Sequence, residues 1–282
     1  DFMKFKDPPW INLGIKMRMG LKSLNQLDWL PLNDGHGPDG ERFFQMQLKK
    51  ELRKKNKEKI FIALPEAYES SEELLFCIKN YFKSLNKKKI LKQNKGWHPL
   101  YFAGSLIPED LLILKKKNDK WILTAGSLYF PAHWSLSEKI SKNLSSIHDP
   151  VPHYKDNLEK AMDKFFDNMI VGPISSRRNW TIQIDNNLFV PNRVWERDLN
   201  IKEVPKRVFI REEYQTLRKL PKTNSIIFTI RTHLWPISTW EKDTNSLKEL
   251  LIMLKKMSNK TTKYRGVEFY GHQLEKWVSS LN

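Results

Sequence analysis

The chain has 282 residues, but only one cysteine, Cys77, and 11 glycines. A lone thiol excludes an internal disulfide framework. It equally excludes an iron–sulfur cluster or zinc ribbon built from this chain alone, each of which needs several thiolates. So few glycines argue against a nucleotide site made of backbone amides. The sequence contains no Gly-rich dinucleotide fingerprint, no phosphate-cradling Gly-Lys-Ser/Thr loop, no Gly-x-Ser-x-Gly elbow and no His-Glu-x-x-His pair. If NAD(P)H is used, another subunit is expected to handle it. No stretch approaches the roughly 18 apolar residues of a membrane helix. Asp1-Phe2-Met3-Lys4 does not open a signal peptide, because no long apolar run follows. The expectation is a cytoplasmic protein in a reducing compartment, with no membrane partner. Acidic residues are also scarce, 32 against 49 Lys+Arg, for a formal charge of +17.

Apolar material is plentiful. Hydrophobic residues make up 40% of the chain, with 10 Trp, 8 Tyr and 15 Phe. That is enough for one large core or two small ones, and it excludes disorder over most of the length. The lysines cluster at residues 49–59, 87–89, 115–117 and 255–256, beside abundant Asn. This is foremost the pattern of a solvated surface. A docking face for an acidic redox partner comes next, since opposite charge steers encounter. Nucleic acid comes last, because aromatics are not set among the cations.

The chain reads as one continuous α+β unit without repeats or linkers. Its N-terminal part, to about residue 95, is helical, and the part from about 96 is mixed. Helical spacing runs over 43–59. Ser70-Ser71-Glu72-Glu73 reads as a capped helix start leading into Leu74, Leu75, Ile78, Tyr81 and Phe82. Pro108-Glu109-Asp110 opens a short helix or turn. Strands are expected at 121–125 after a turn at Asn118-Asp119, and at 128–130, 180–184, 207–211 and 226–232, the last bounded by Pro221-Lys222-Thr223-Asn224. Residues 158–169, 212–220 and 246–257 read as helical. Without a regular βαβ rhythm, α+β is favoured over a doubly wound fold.

Chemistry could reside in the histidines. His36 lies in a turn, His98 precedes Pro99, His133 sits between apolar residues and His272 is near the C-terminus. All four read as structural or solvated. His148 differs in context, because Pro150 and Pro152 follow it. Prolines restrict their own φ and the residue before them, which predicts a stiff extended strap that could aim a neutral imidazole at a metal. A buried structural histidine is the competing reading. Polar clusters at Arg177-Arg178-Asn179-Trp180, at 211–217 and at Thr229-Ile230-Arg231-Thr232 are flanked by apolar residues. They read either as internal Arg–Glu pairing or as a set that grips an anionic cofactor, such as the propionates of a haem.

Six segments, in order, resemble a known family. Pro108-Glu109-Asp110-Leu111-Leu112 is similar to its "QEDLLLL" segment. The run from Phe130 to Lys139 resembles "CFPSxWxLxEKxG", and Ile147-His148-Asp149-Pro150-Val151-Pro152 resembles "IHxPVP". Arg178-Asn179-Trp180 resembles "RxNW", Arg211 to Leu217 resembles "RxERQTL", and Leu220-Pro221 with Phe228 to Thr232 resembles "LPxxxxxxFTIRTY". The family is the haem-dependent oxidative N-demethylase-like group, which includes the haem subunit of dimethylamine monooxygenase. The resemblance implies a PAS-like antiparallel sheet whose surrounding helices form a pocket for haem b. It implies O2 activation and oxidation of a methyl group of a small secondary amine such as dimethylamine. The carbinolamine collapses to a primary amine and formaldehyde. Electrons come from NAD(P)H through flavin and iron–sulfur centres on reductase subunits. Carried over, His148 is the axial ligand, and Arg178, Arg211 and Arg231 are candidates for propionate contacts. Glu213 is the candidate to face a protonated amine, and Tyr214 and Trp180 shape the pocket. Tyr214 stands where the family often has Arg, His133 where a small residue is common, and Tyr129 where Cys is usual. A haem-based sensor without turnover is the alternative that the same motifs allow.

Overall fold

A computed structural model describes residues 7–14, 19–34, 37–85, 96–192 and 199–281. Seven strands form one sheet: β1 (Lys22–Leu24), β2 (Phe61–Ala63), β3 (Asp110–Lys117), β4 (Lys120–Ser127), β5 (Ile174–Ile184), β6 (Val208–Lys219) and β7 (Ile226–Pro236). Their spatial order is β1-β5-β6-β7-β3-β4-β2, and every neighbouring pair is antiparallel. The central five, β4-β3-β7-β6-β5, join two hairpins through a long helical crossover between β4 and β5. This is the PAS-like α+β arrangement. The short strands β1 and β2, from the N-terminal part, extend the sheet at its two edges. That part is therefore not purely helical.

Tight turns close the hairpins. Asn118 and Asp119 join β3 to β4 with φ of 47° and 58°, the double left-handed turn whose twist matches that of the strands. Between β6 and β7, the Glu73 carboxylate accepts from Lys222 N (2.7 Å) and Thr223 N (2.8 Å), tying this turn to a helix of the N-terminal part.

Each face of the sheet is covered by a different set of helices. Helices α1 (Glu41–Lys55), α2 (Tyr68–Ser84) and α3 (Pro99–Leu106) lie on the N-terminal side. Leu74, Ile78, Leu100 and Phe102 pack there with Leu111, Ile113, Ala125 and Ile227. The crossover carries α4 (Leu136–Lys139), α5 (Leu144–His148) and α6 (Glu159–Asp167). Leu136, Leu144, Tyr154, Met162 and Phe166 pack on the other face with Leu112, Leu114, Leu217, Ile226 and Ile230. Alternation along the strands produces the two sets, since successive side chains point to opposite faces. At the far end of β5 and β6, Trp180, Ile182, Val208 and Ile210 pack against α7 (Thr244–Lys255) and α8 (Gly271–Ser279).

Several expectations are corrected. Residues 212–220 are not helical but lie mostly in β6, where buried charged pairs interrupt the apolar alternation that marks a strand. Asp110 opens β3 rather than a helix or turn. Residues 128–130 form a bend, because the Asp110 carboxylate takes the Tyr129 and Phe130 N–H groups (2.7 and 3.0 Å) in place of a ladder. α2 starts at Tyr68, before Ser70. Ser70 and Ser71 lie buried inside it, Ser70 Oγ bonding Ser225 Oγ at 2.7 Å and Ser71 Oγ donating to Ala67 O. His148 is not on an extended strap either. It is the last residue of α5, whose N-terminus is capped by Asn143 accepting from Ser146 N (2.8 Å).

Gly104 in α3 lies against β4, where an added Cβ would sit 2.9 Å from Ser127 Cβ. Gly104→Ala is therefore expected to destabilise by about 1–3 kcal/mol through overpacking, outweighing a helix-propensity gain of about 1 kcal/mol. Chemical denaturation checks this, and an unchanged or raised midpoint contradicts it.

Candidate active site

His148 lies half-buried at the end of α5, on the crossover side. Its Nδ1 lies 2.8 Å from the Leu144 carbonyl. A carbonyl only accepts, so Nδ1 carries the proton and Nε2 keeps its lone pair. No hydrogen bond reaches Nε2 among the described residues. The ring stacks on Tyr154, centroids 4.3 Å apart and planes 13° from parallel. Burial, reinforced by the nearby Lys139 and Arg177 cations, pushes the imidazole down to about 4. At neutral pH it is thus a neutral imidazole of fixed tautomer and fixed plane, which is the form a metal ligand takes.

That depression couples to stability. The unfolded imidazole titrates near 6.5, so between about pH 6.5 and 4 the unfolded chain binds the extra proton. The contribution is complete above about 6.5 and lost as pH falls towards 4, at most about 3 kcal/mol. Urea midpoints at pH 7 and 4.5 are expected to drop further in the wild type than in His148→Phe. Equal drops contradict the assignment.

Strand register decides which other polar groups share this face. Arg177 pairs with Gln215, and Glu213 with Asn179 and Thr232. Arg177, Arg211, Glu213 and Gln215 therefore point to the His148 side. Arg177 Nε is buried without a hydrogen-bond partner among the described residues, as is the Tyr154 hydroxyl. Burial lowers the Arg177 pKa and raises that of Tyr154. Gln215 Nε2 donates to Glu213 Oε2 at 2.9 Å, and Arg211 Nε lies 3.6 Å from Glu213 Oε1. Arg211 is fully buried and also donates to Gln183 Oε1 (3.2 Å) and Phe130 O (2.5 Å). Lys139 Nζ donates to Ile147 O at 2.5 Å, holding the end of α5.

The family described as haem-dependent oxidative N-demethylase, alpha subunit-like, matches residues 39–275. The chain belongs to that family. The match covers α5, the crossover and every strand except β1. The family's description makes this N-demethylase-like chain an oxidoreductase that depends on haem.

The residues on the crossover face suit such a group. Among the described residues, no cluster of three or more His, Cys, Asp and Glu is set to hold a bare metal ion. His148 offers a single nitrogen, which suits an iron that arrives already ligated by a porphyrin. The apolar wall of Leu112, Leu217 and Ile230 and the unpartnered Arg177 Nε and Tyr154 hydroxyl fit a flat apolar group with an anionic edge.

The remaining residues singled out in the sequence of this N-demethylase-like chain stand on the opposite face. Arg178 Nη2 lies 2.6 Å from Glu212, whose side chain is fully buried. Arg231 Nη1 lies 3.6 Å from Glu109. Tyr214 pairs in register with Arg178 and Arg231. Trp180 donates from Nε1 to Gly14 O (2.8 Å), packs on Trp10 and carries the Arg265 guanidinium 5.2 Å over its ring. The structure thus brings His148, Arg211 and Glu213 to one face, and Arg178, Arg231, Tyr214 and Trp180 to the other. Sequence reasoning passed over Tyr154 and Lys139, and of the adjacent Arg177 and Arg178 it carried only Arg178 forward as a propionate contact. Strand parity alone would have separated Arg177 from Arg178, had the register been known.

The other histidines have their own places. His36 lies outside the described residues. His98 caps α3, its Nδ1 accepting from Leu100 N at 3.3 Å. His133 is half-buried at φ 62° with its backbone N–H on Val190 O, and His272 is exposed. His233 is buried beside Glu41, Nδ1 to Oε2 2.5 Å, and was not anticipated.

Proposed function

We propose that this chain is the oxygen-activating subunit of an oxidative N-demethylase, binding haem b against the crossover face and acting on a small secondary amine, dimethylamine. Beyond the family match, one observation carries the reading. The neutral His148 offers Nε2 on the sheet face that also holds the Arg177 guanidinium and the Glu213 carboxylate.

His148 would hold the iron through Nε2, while its Nδ1–H on the Leu144 carbonyl orients the ring and raises its basicity. Arg177, with Lys139 beside the same imidazole, would take the propionate carboxylates, which a planar fork of donors matches. Glu213, steadied by Gln215, would accept an N–H of the amine and fix its methyl group in place. The Tyr154 hydroxyl is a buried donor without an acceptor, available to the ligand. When bound, the haem supplies the iron at which dioxygen is activated. Dimethylamine, O2, two electrons and two protons give methylamine, formaldehyde and water.

The electrons need a partner, since this chain has one thiol and no dinucleotide fingerprint. A reductase bearing flavin and an iron–sulfur centre, fed by NAD(P)H, fits that need, and an acidic one would be drawn to the positive surface. No helix of the described residues is long and apolar enough to cross a membrane.

The test is amine-dependent formaldehyde release by the haem-loaded protein with a flavin/iron–sulfur reductase. Glu213→Gln is expected to raise KM for dimethylamine about tenfold while leaving the haem spectrum unchanged. A wild type that binds haem and O2 but releases no formaldehyde overturns the enzyme reading in favour of a haem sensor.

A further inference from the structure

A second cluster of buried charge lies across the sheet from His148. Arg231 and Glu109 are both nearly fully buried, their side chains each 3% exposed, and they approach only to 3.6 Å. Arg231 Nε, Nη1 and Nη2 and both Glu109 oxygens lack hydrogen-bond partners among the described residues. Arg42, on the first turn of α1, is half-buried with its own Nε unpartnered, and it sits within electrostatic reach of both. Gln45, one turn on, donates to Thr232 O at 2.6 Å but leaves Oε1 buried and unpartnered.

The neighbouring charges have partners of their own. Arg178 holds Glu212, Glu41 holds His233, and Lys49 donates to the carbonyls of Gly104, Ile107 and Glu109. Arg231 and Glu109 face each other at 3.6 Å without a hydrogen bond, and Arg42 lies in the field of Asp34 as well as of Glu109. Buried groups of this kind are rarely left without hydrogen bonds, because the loss is large for an ion. What would satisfy them carries acceptors of negative charge for the guanidiniums and, beside these, N–H donors for Glu109. A carboxylate next to an ammonium has that arrangement, whereas a simple anion leaves Glu109 bare and a simple amine leaves the guanidiniums bare.

We infer that Arg231, Arg42 and Glu109 form a second binding site, separate from His148, for a small zwitterion of the amino-acid type. The carboxylate lies on the two guanidiniums, the ammonium on Glu109, and Gln45 Oε1 accepts a further N–H. The site uses β7, α1 and the residue before β3, whereas His148 uses the crossover. It does not depend on the haem reading.

Calorimetric titration of the full chain with glycine, N-methylglycine, acetate and methylammonium tests it, with and without haem. One or both zwitterions are expected to bind at least tenfold more tightly than acetate or methylammonium, unchanged in His148→Ala. Glu109→Gln is expected to lose this preference while keeping acetate binding, and Arg231→Lys to weaken zwitterions and acetate alike. Circular dichroism reports whether either variant folds. Should a variant fail to fold, a wild-type crystal soaked in glycine decides, with ligand density against Arg231, Arg42 and Glu109 expected. Acetate binding as well as the zwitterions, no binding at all, or water alone at the site in that crystal overturns the inference.

Discussion

His148→Ala is expected to abolish the Soret band of protein prepared with haem. The imidazole is the ligand proposed on the crossover face, and its competence would come from three features that alanine removes together. The Leu144 carbonyl fixes the tautomer, Tyr154 fixes the plane, and burial keeps Nε2 unprotonated down to about pH 4. Haem affinity should consequently stay level from pH 8 to about 5 and fall only as pH approaches 4. Absorbance titration with haemin, on wild type and variant, measures both. An unchanged Soret band in His148→Ala removes the ligand assignment, and a midpoint near 6.5 shows an imidazole that is not buried. Adding free imidazole to the variant is expected to restore a band, which separates loss of a ligand from loss of the fold.

The largest effect on stability is expected from Asp110→Ala. The Asp110 carboxylate accepts from Tyr129 N and Phe130 N and lies 3.8 Å from Lys49 Nζ, with both side chains fully buried. Lys49 Nζ also lies 4.3 Å over the Tyr129 ring. Burial pushes Asp110 up to about 6 and Lys49 down to about 8, each opposed by the charge of the other. Removing the carboxylate strands an ammonium without its counter-ion and leaves two buried N–H groups bare. Breaking one side of such a pair costs about 3–5 kcal/mol, a large part of the roughly 5–15 kcal/mol that holds a domain folded. Adding Lys49→Met to Asp110→Ala is expected to recover part of the loss, because the stranded charge goes with it. Chemical denaturation of the two single variants and the double one gives the coupling. A loss below about 1 kcal/mol in Asp110→Ala would show that the Lys49 carbonyl cage suffices.

How much of this was legible in the sequence depended on how local the cause was. β7 is plain in Ile226-Ile227-Phe228-Thr229-Ile230, where β-branched and aromatic residues dominate. β6 is hidden in Arg211-Glu212-Glu213, because the partners that let those charges be buried come from elsewhere: Arg178 for Glu212, Gln183 and Phe130 for Arg211. His148 stood out through its neighbours, but its backbone did not. Pro150 and Pro152 suggested extended chain, yet a one-turn helix capped by Asn143 ends at His148 before the prolines act. The division of the polar residues between two faces was beyond reach, since it rests on the register Arg178–Tyr214–Arg231 across three strands. Arg177 and Arg178 look equivalent in sequence, and only the pairing of β5 with β6 tells them apart.

β6 is the partition between two compartments, and consecutive residues serve opposite rooms. Arg211 and Glu213 stand on the side of the imidazole, while Glu212 and Tyr214 stand on that of Arg178 and Arg231. Losing or gaining one residue near Ile210 would send each of these groups through the wall, exchanging the charges of the two sides at a stroke. The length of this stretch thus matters more to the arrangement than the identity of most of its side chains.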